Sequence, residues 1–463
     1  MMSNTRFSRT WIPQIDLDPL QNVRVTELFN ANRTSHVVSQ LPQKDKIGIL
    51  NEQLEIDKPM TEHFVIVGGG QAGAQAVQTL RQNKFDGKIT LIGEEPYPPY
   101  QRPPLSKKYL AGELERDRLF LRPLAFYEKN QVDLQLGTRA TLLDPEAAQV
   151  TLEDSRVLHY DGLLLATGSR VRRLEVPGAD LNGIHYVRTV ADVDAILTSM
   201  QAGKRLVVVG AGYIGLEVGA VCVSAGLEVT ILEALDRVMA RVVSPEVSQF
   251  YLDSHARADV KIHCDTIVNR FVGKERVQAV ETSDGQRFPC DLVIVGIGIV
   301  PEVGLAEAAD LPCTNGISVD ESARTERHNI LAAGDCTNHP SLLLDERIRL
   351  ESVHNAIEQA KTAVMTFLGE RLPYTATPWF WSDQYQLKLQ IAGLSRGYDQ
   401  VVIRGTPTEV PFSVFYLRSG QLIAVEAVNS PKEFMIGKKL ISARTSVPAE
   451  RLAELEFDLS TIV

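Results

Sequence analysis

Phe64 to Gly73 reads FVIVGGGQAG. Four apolar residues, three of them β-branched, run into glycines, as in a strand buried on both faces of a parallel sheet. QAGAQAVQTLRQ follows with helical composition, and KITLIGEE repeats the strand texture. Strand, glycine turn, helix and strand make a βαβ unit. Within the turn, Gly68-x-Gly70-x-x-Gly73 has the spacing that cradles a dinucleotide. The first glycine permits the tight turn, the second lets backbone approach a pyrophosphate, and the third lets helix and strand pack closely. Glu94 lies 21 residues after Gly73, at the end of the second strand, where a carboxylate can accept from ribose hydroxyls.

The pattern returns at Arg205. RLVVVGAGYIG is strand and turn, LEVGAVCVSAG a helix, LEVTILEA the next strand. Gly210-x-Gly212-x-x-Gly215 is the second fingerprint, and Glu233 follows 18 residues after Gly215. An acid there suits an unmodified ribose and repels a 2′-phosphate, which predicts NADH over NADPH. Arg237 and Arg241 lie close by and leave room for NADPH. One such glycine motif is a weak signal; two, each after a strand and each with its acid, call for two dinucleotides. FAD with a nicotinamide is the economical pair, because flavin takes hydride and releases electrons singly. CDLVIVGIG and NILAAGD read as two further buried strands. FSVFYLRSGQLIAVEAV alternates like a hairpin turning at Ser419-Gly420, with a helix in SPKEFMIGKKLISA.

Length and composition bound the rest. A chain of 463 residues holds about three domains. With 44% apolar and 23% charged residues it is an ordinary globular sequence, which excludes a fibre, a disordered chain or a disulfide scaffold. A net charge of −10 argues against general nucleic-acid binding. The five cysteines (Cys222, Cys264, Cys290, Cys313, Cys336) are scattered, form no CxxC and have no zinc spacing, so no metal site is read. Sparse thiols suit a reducing compartment, here the cytoplasm. No apolar run reaches membrane-spanning length and no secretory signal is apparent. Residues 1–60 balance seven basic against seven acidic residues without apolar period. They read as a flexible or loosely docked extension, or else as a docking segment anchored by Trp11, Ile12, Leu28 and Phe29.

From about residue 62 onward the sequence resembles the FAD-dependent pyridine nucleotide oxidoreductases, in the ferredoxin and rubredoxin reductase branch. The resemblance implies two Rossmann-like α/β domains and a C-terminal α+β interface domain, a glutathione-reductase-like architecture. The expected limits are 61–172 and 299–377 for the FAD domain, 173–298 for the NAD domain and 378–463 for the interface domain. PYQRPPLSKKYL looks like the family's flavin-side loop, which puts Arg102, Pro103 and Lys107 against the flavin, with Lys107 as a catalytic charge. LLLATGSR and LAAGDC match the second-half flavin motifs and imply contacts from Ala166, Thr167, Gly168 and Asp335. RLESVHNAIEQA aims a helix start (Ser352, Val353, His354) at the pyrimidine ring, although the family often has Gln at the His354 position. Ala72, Ala140 and Trp381 complete the expected flavin contacts. The expected NAD contacts are Gly210, Gly212, Tyr213, Ile214, Gly215, Glu217, Glu233, Arg241, Gly296, Ile297 and Gly298, with Glu217 also catalytic.

Without the family, Lys107 reads as a solvated lysine, Asp335 as a turn aspartate, Glu217 as a surface helix residue and Trp381 as a core aromatic. Between Glu94 and Leu121 there is no cysteine, where the disulfide reductases of this superfamily carry a redox pair, so no thiol relay is expected. The resemblance therefore implies an NADH-dependent reductase that gives single electrons to a 2Fe–2S ferredoxin feeding an oxygenase, in a monomer or homodimer. A docking patch of Arg102, Lys108, Arg116, Arg118 and Arg122 would meet such an acidic partner. An apoptosis-inducing-factor-like NADH oxidase, a rubredoxin reductase and a binding-only scaffold are the alternatives.

Overall fold

The computed structural model describes residues 62–462; the expected roles of residues 1–60 lie outside them. The opening motif folds as read. Strand His63–Val67 is followed by helix Gln71–Gln82 and strand Lys88–Gly93, paired in parallel from His63↔Lys88 to Val67↔Ile92. Phe64, Val65 and Ile66 are fully buried, because helices or a companion sheet cover each face. The sheet has five parallel strands in the order Ile330–Ala332, Gly162–Leu165, His63–Val67, Lys88–Gly93, Val132–Leu136. The outermost strand comes from the NILAAGD segment, so this unit is discontinuous in sequence.

The second unit repeats the plan. Its parallel order is Lys261–His263, Glu228–Leu232, Arg205–Val209, Leu292–Val295, Ile184–Tyr186. Each unit carries a three-stranded antiparallel companion sheet, Ala140–His159 in one and Val268–Pro289 in the other. The chain passes between the units twice, and the passages pair antiparallel, Ser169–Val171 against Ile299–Pro301.

Residues beyond Pro378 build a five-stranded antiparallel sheet backed by helix Pro431–Ser442. Its hairpin turns at Ser419 and Gly420, both with positive φ (52° and 76°), the left-handed pair that matches strand twist. Strand Phe412–Arg418 departs from the alternating pattern, since Phe412 through Leu417 are all buried. Phe415 and Leu417 pack towards helix Pro431–Ser442, while Phe412, Val414 and Tyr416 pack in the core that holds Phe250 and Val247. The sheet is covered on both faces, so neither face needs polar residues.

Candidate functional site

The two glycine turns face one continuous cavity of ≈ 1910 Å³. That is about twice the upper end of an ordinary ligand pocket, roughly 1,000 Å³. At each turn the first and third glycines are sterically required. A Cβ on Gly68 would sit 2.0 Å from the Ala166 oxygen, and one on Gly73 2.1 Å from the Gly68 oxygen. The same substitutions at Gly210 and Gly215 meet the Gly296 oxygen at 2.6 Å and the Gly210 oxygen at 1.9 Å. The middle glycines differ: beside Gly70 and Gly212 nothing lies within 4 Å of an added Cβ. Each is the N-cap of its helix, and neither helix has a side-chain cap. Other helices of the molecule are capped, by Thr189, Ser244 and Ser352. Two helix starts therefore present uncapped amides, with their positive dipole ends, to open space, which fits two pyrophosphates.

The acids that follow each turn stand at the cavity wall in different states. Glu94 is exposed, 3.9 Å from Arg139. Glu233 is folded back on its own loop, accepting from the amides of Ala211 (2.6 Å) and Leu235 (2.9 Å). Of the two arginines beside it, Arg237 is committed to the carbonyls of Ala240 and Val243 and does not line the cavity. Arg241 does, packed beside Gly298.

Between the turns the walls meet at an ion pair. Glu217, 1% exposed, accepts from Lys107 Nζ at 2.6 Å and Ser106 Oγ at 2.5 Å on one oxygen. Its other oxygen accepts from Ser382 Oγ at 2.6 Å. Lys107 also donates to the Pro103 carbonyl at 3.3 Å. Three parts of the chain thus converge on one carboxylate: the loop after the first unit's second strand, the second unit's helix Tyr213–Ser224, and the first strand of the C-terminal sheet.

Ala72, Arg102, Pro103, Ala140, Ala166, Thr167, Gly168, Asp335, Ser352, Val353 and Trp381 line the same cavity, as do Tyr213, Ile214, Gly296 and Ile297. Ser352 also caps helix Val353–Phe367 by accepting from the Asn355 amide at 3.1 Å. Asp335 accepts from Ser169 Oγ at 2.9 Å and lies 3.6 Å from Arg188. Arg188 was not expected here. Burial, then the Arg102 charge, pulls its guanidinium below the usual value, and Asp335 opposes this. Its carbonyl accepts from Arg102, whose guanidinium also binds Glu95 at 2.7 Å.

His354 is outside the cavity lining, its ring 5.7 Å from Trp379. Burial and then the Lys438 charge push its pKa down to about 4, so it packs as a neutral ring. Nothing in the local sequence announced Ser106 and Ser382, because each meets Glu217 across more than a hundred residues of chain.

No cysteine lines the cavity. Burial pushes Cys222 and Cys290 up to about 12, and Cys336, fully buried, points its sulfur at the Leu165 carbonyl. Among the described residues, no helix is long and apolar enough to cross a membrane.

Residues 62–360 match the family model described as pyridine nucleotide-disulphide oxidoreductase, and residues 379–463 match the reductase C-terminal model. Rhodocoxin reductase of Rhodococcus erythropolis is 42% identical over 86% of this chain and 94% of its own length. The 5,5′-dehydrodivanillate O-demethylase ferredoxin reductase subunit of Sphingobium is 44% identical over 86% of this chain and 98% of its own. In the crystal structure of the covalent putidaredoxin reductase–putidaredoxin complex, a chain 42% identical superposes with a TM-score of 0.85, covering 87% of this chain and 98% of that one. With both of its regions matched and its architecture shared, the chain belongs to the pyridine nucleotide-disulphide oxidoreductase family, in the branch of the FAD-dependent ferredoxin reductases.

Proposed function

We propose that the protein is an NADH-dependent ferredoxin reductase of the cytoplasm, serving a 2Fe–2S ferredoxin that feeds an oxygenase. One observation carries the reading: a single thiol-free cavity joins two uncapped glycine cradles, with the Lys107–Glu217 pair between them. FAD, when bound, supplies acceptance of two electrons as hydride from NADH and their release one at a time. The Gly68 turn would hold the FAD pyrophosphate and Glu94 its ribose, with residues 61–172 and 299–377 as the flavin module. The Gly210 turn and Glu233 would hold NADH on residues 173–298. Lys107 supplies positive charge where negative charge develops on reduction, and Glu217 fixes where that ammonium stands. Trp381 and the start of helix Val353–Phe367 close the remaining wall and exclude water. With no dithiol in the lining, electrons leave for an external carrier.

The test is stopped-flow reduction of the holoprotein by NADH and by NADPH, followed by cytochrome c turnover with and without added ferredoxin. Fast reduction by NADH and turnover only with ferredoxin is the expected result; ferredoxin-independent turnover at the same rate overturns it. For nucleotide choice, Glu233→Ala should raise the KM for NADH about tenfold, since a charged hydrogen-bond partner is lost. NADPH use should rise in that variant, because the carboxylate that repels a 2′-phosphate is gone while Arg241 still lines the cavity.

The docking patch is narrower than the sequence suggested. Arg102 is tied to Glu95, and Arg116 to Asp194 at 2.7 Å. Lys108, Arg118 and Arg122 are exposed and make no ion pair with a described residue. If these three steer docking, ferredoxin reduction slows as salt rises while ferricyanide reduction does not. A salt-independent ferredoxin rate would remove the patch from the reading.

A further inference from the structure

Glu217 is the end of a longer buried chain. Ser382 is fully buried, Gln384 is 1% exposed and His255 fully buried. Burying polar groups in this way costs several kcal/mol unless each is satisfied. Here each one is. Tyr385 OH stands 3.0 Å from His255 Nδ1, and His255 Nε2 2.9 Å from Gln384 Oε1. Gln384 Nε2 donates to Ser382 Oγ at 3.2 Å, and Ser382 Oγ donates to Glu217 at 2.6 Å. The Gln384 oxygen can only accept, so His255 carries its proton on Nε2 and its Nδ1 accepts from the tyrosine. Every donor therefore points the same way, towards the carboxylate. Burial lowers the His255 pKa and keeps the ring neutral, which preserves that sense. Hydrogen bonds aligned head to tail polarise one another, which strengthens the donor that reaches the carboxylate. The chain crosses an internal seam. His255 belongs to helix Pro245–Arg257 of the second unit, while Ser382 and Gln384 belong to the first strand of the C-terminal sheet and Tyr385 to the turn after it.

We propose that Ser382, Gln384 and His255 are positioning residues, a one-way hydrogen-bond chain that fixes the Glu217 carboxylate and, through it, the Lys107 ammonium at the wall where NADH and FAD meet. The proposal rests on the reading of that wall given above. A chain that served only to hold the C-terminal sheet in place would affect stability alone. One that tunes the pair also affects the rate of the step that Lys107 serves and the redox balance of the bound flavin. Loss of the Ser382 donor leaves Glu217 free to screen Lys107 more closely, which disfavours the reduced, more negative cofactor.

The experiment uses the FAD-loaded full chain as wild type, Ser382→Ala, Ser382→Thr, Gln384→Met and Lys107→Met. The readouts are NADH-driven ferricyanide reduction, the flavin midpoint potential and the melting temperature. In Ser382→Ala and Gln384→Met, kcat should fall about tenfold while the KM for NADH stays within about twofold. The midpoint potential should fall by about 30 mV, the two-electron equivalent of tenfold. Ser382→Thr, which keeps the hydroxyl, should restore both. Wild-type kcat and potential in Ser382→Ala and Gln384→Met, with only the melting temperature lowered, overturns the proposal. If Lys107→Met still loses kcat in that case, the reading of the wall survives. If Lys107→Met is also unchanged, that reading falls with it.

Discussion

Gly212→Val is expected to give a folded protein that keeps its visible flavin band and that NADH no longer reduces at a useful rate. Gly212 sits at φ −75°, ψ −175°, extended backbone that valine adopts without strain. No atom lies within 4 Å of the added Cβ, so the fold loses little beyond an N-cap glycine, about 1 kcal/mol. The new methyls occupy the space through which a pyrophosphate must reach the amides of helix Tyr213–Ser224. Losing two charge-assisted hydrogen bonds, at about 2 kcal/mol each, predicts at least a hundredfold weaker NADH binding. The flavin stays because the Gly68 turn is untouched. Gly70→Val should do the reverse and give a folded, colourless protein. Gly215→Ala is the steric control, since its methyl would lie 1.9 Å from the Gly210 oxygen, and the fold itself should suffer. Wild-type reduction kinetics in Gly212→Val would show that the second cradle is not the NADH site.

The cradles were legible because one of their steric demands closes within a few residues. Gly73 packs on Gly68 and Gly215 on Gly210, each five residues earlier, so spacing carries that contact, while the crowding of Gly68 by Ala166 and of Gly210 by Gly296 comes from distant strands. The Lys107 wall was not legible from spacing, since Lys107 and Glu217 are 110 residues apart and Ser382 is 165 residues from Glu217. One local signal existed. Glu217 is the lone charge in helix YIGLEVGAVCVS, and a carboxylate among apolar residues on every side has to be buried with partners. The basic loop misled in the opposite direction. Arg102 and Arg116 look like free surface charges until Glu95 and Asp194, from other turns of the chain, neutralise them. His354 was placed on the cofactor by its position at a helix start, but its ring turned to the tryptophan side of that helix.

Glu426→Gln should stabilise the protein at pH 8 and leave it nearly unchanged at pH 5. Glu426 is 1% exposed, on strand Gln421–Val428, against the start of helix Pro245–Arg257. Its carboxyl accepts from the Ser244 amide at 3.2 Å, and among the charged and titratable groups around it are Tyr416, Tyr213 and Glu246. Burial first, with Glu246 adding to it, raises its pKa from 4.5 to about 7 against the opposing hydrogen bonds. The sign follows from proton count. Between these two values the folded chain keeps a proton that the unfolded chain has released, so stability falls as pH rises through the window. Above about 7 the whole penalty is present, on the order of 3 kcal/mol for a shift of this size. Gln mimics the protonated acid, can still accept from the Ser244 amide, and does not titrate. The gap in melting temperature between variant and wild type should therefore be small at pH 5, open between pH 5 and 7, and stay constant above. A gap independent of pH would mean that Glu426 is ionised in the folded chain throughout. Because it lies where the second unit meets the C-terminal sheet, the same titration would loosen the seam that the Ser382 chain crosses, and alkaline pH should weaken both together.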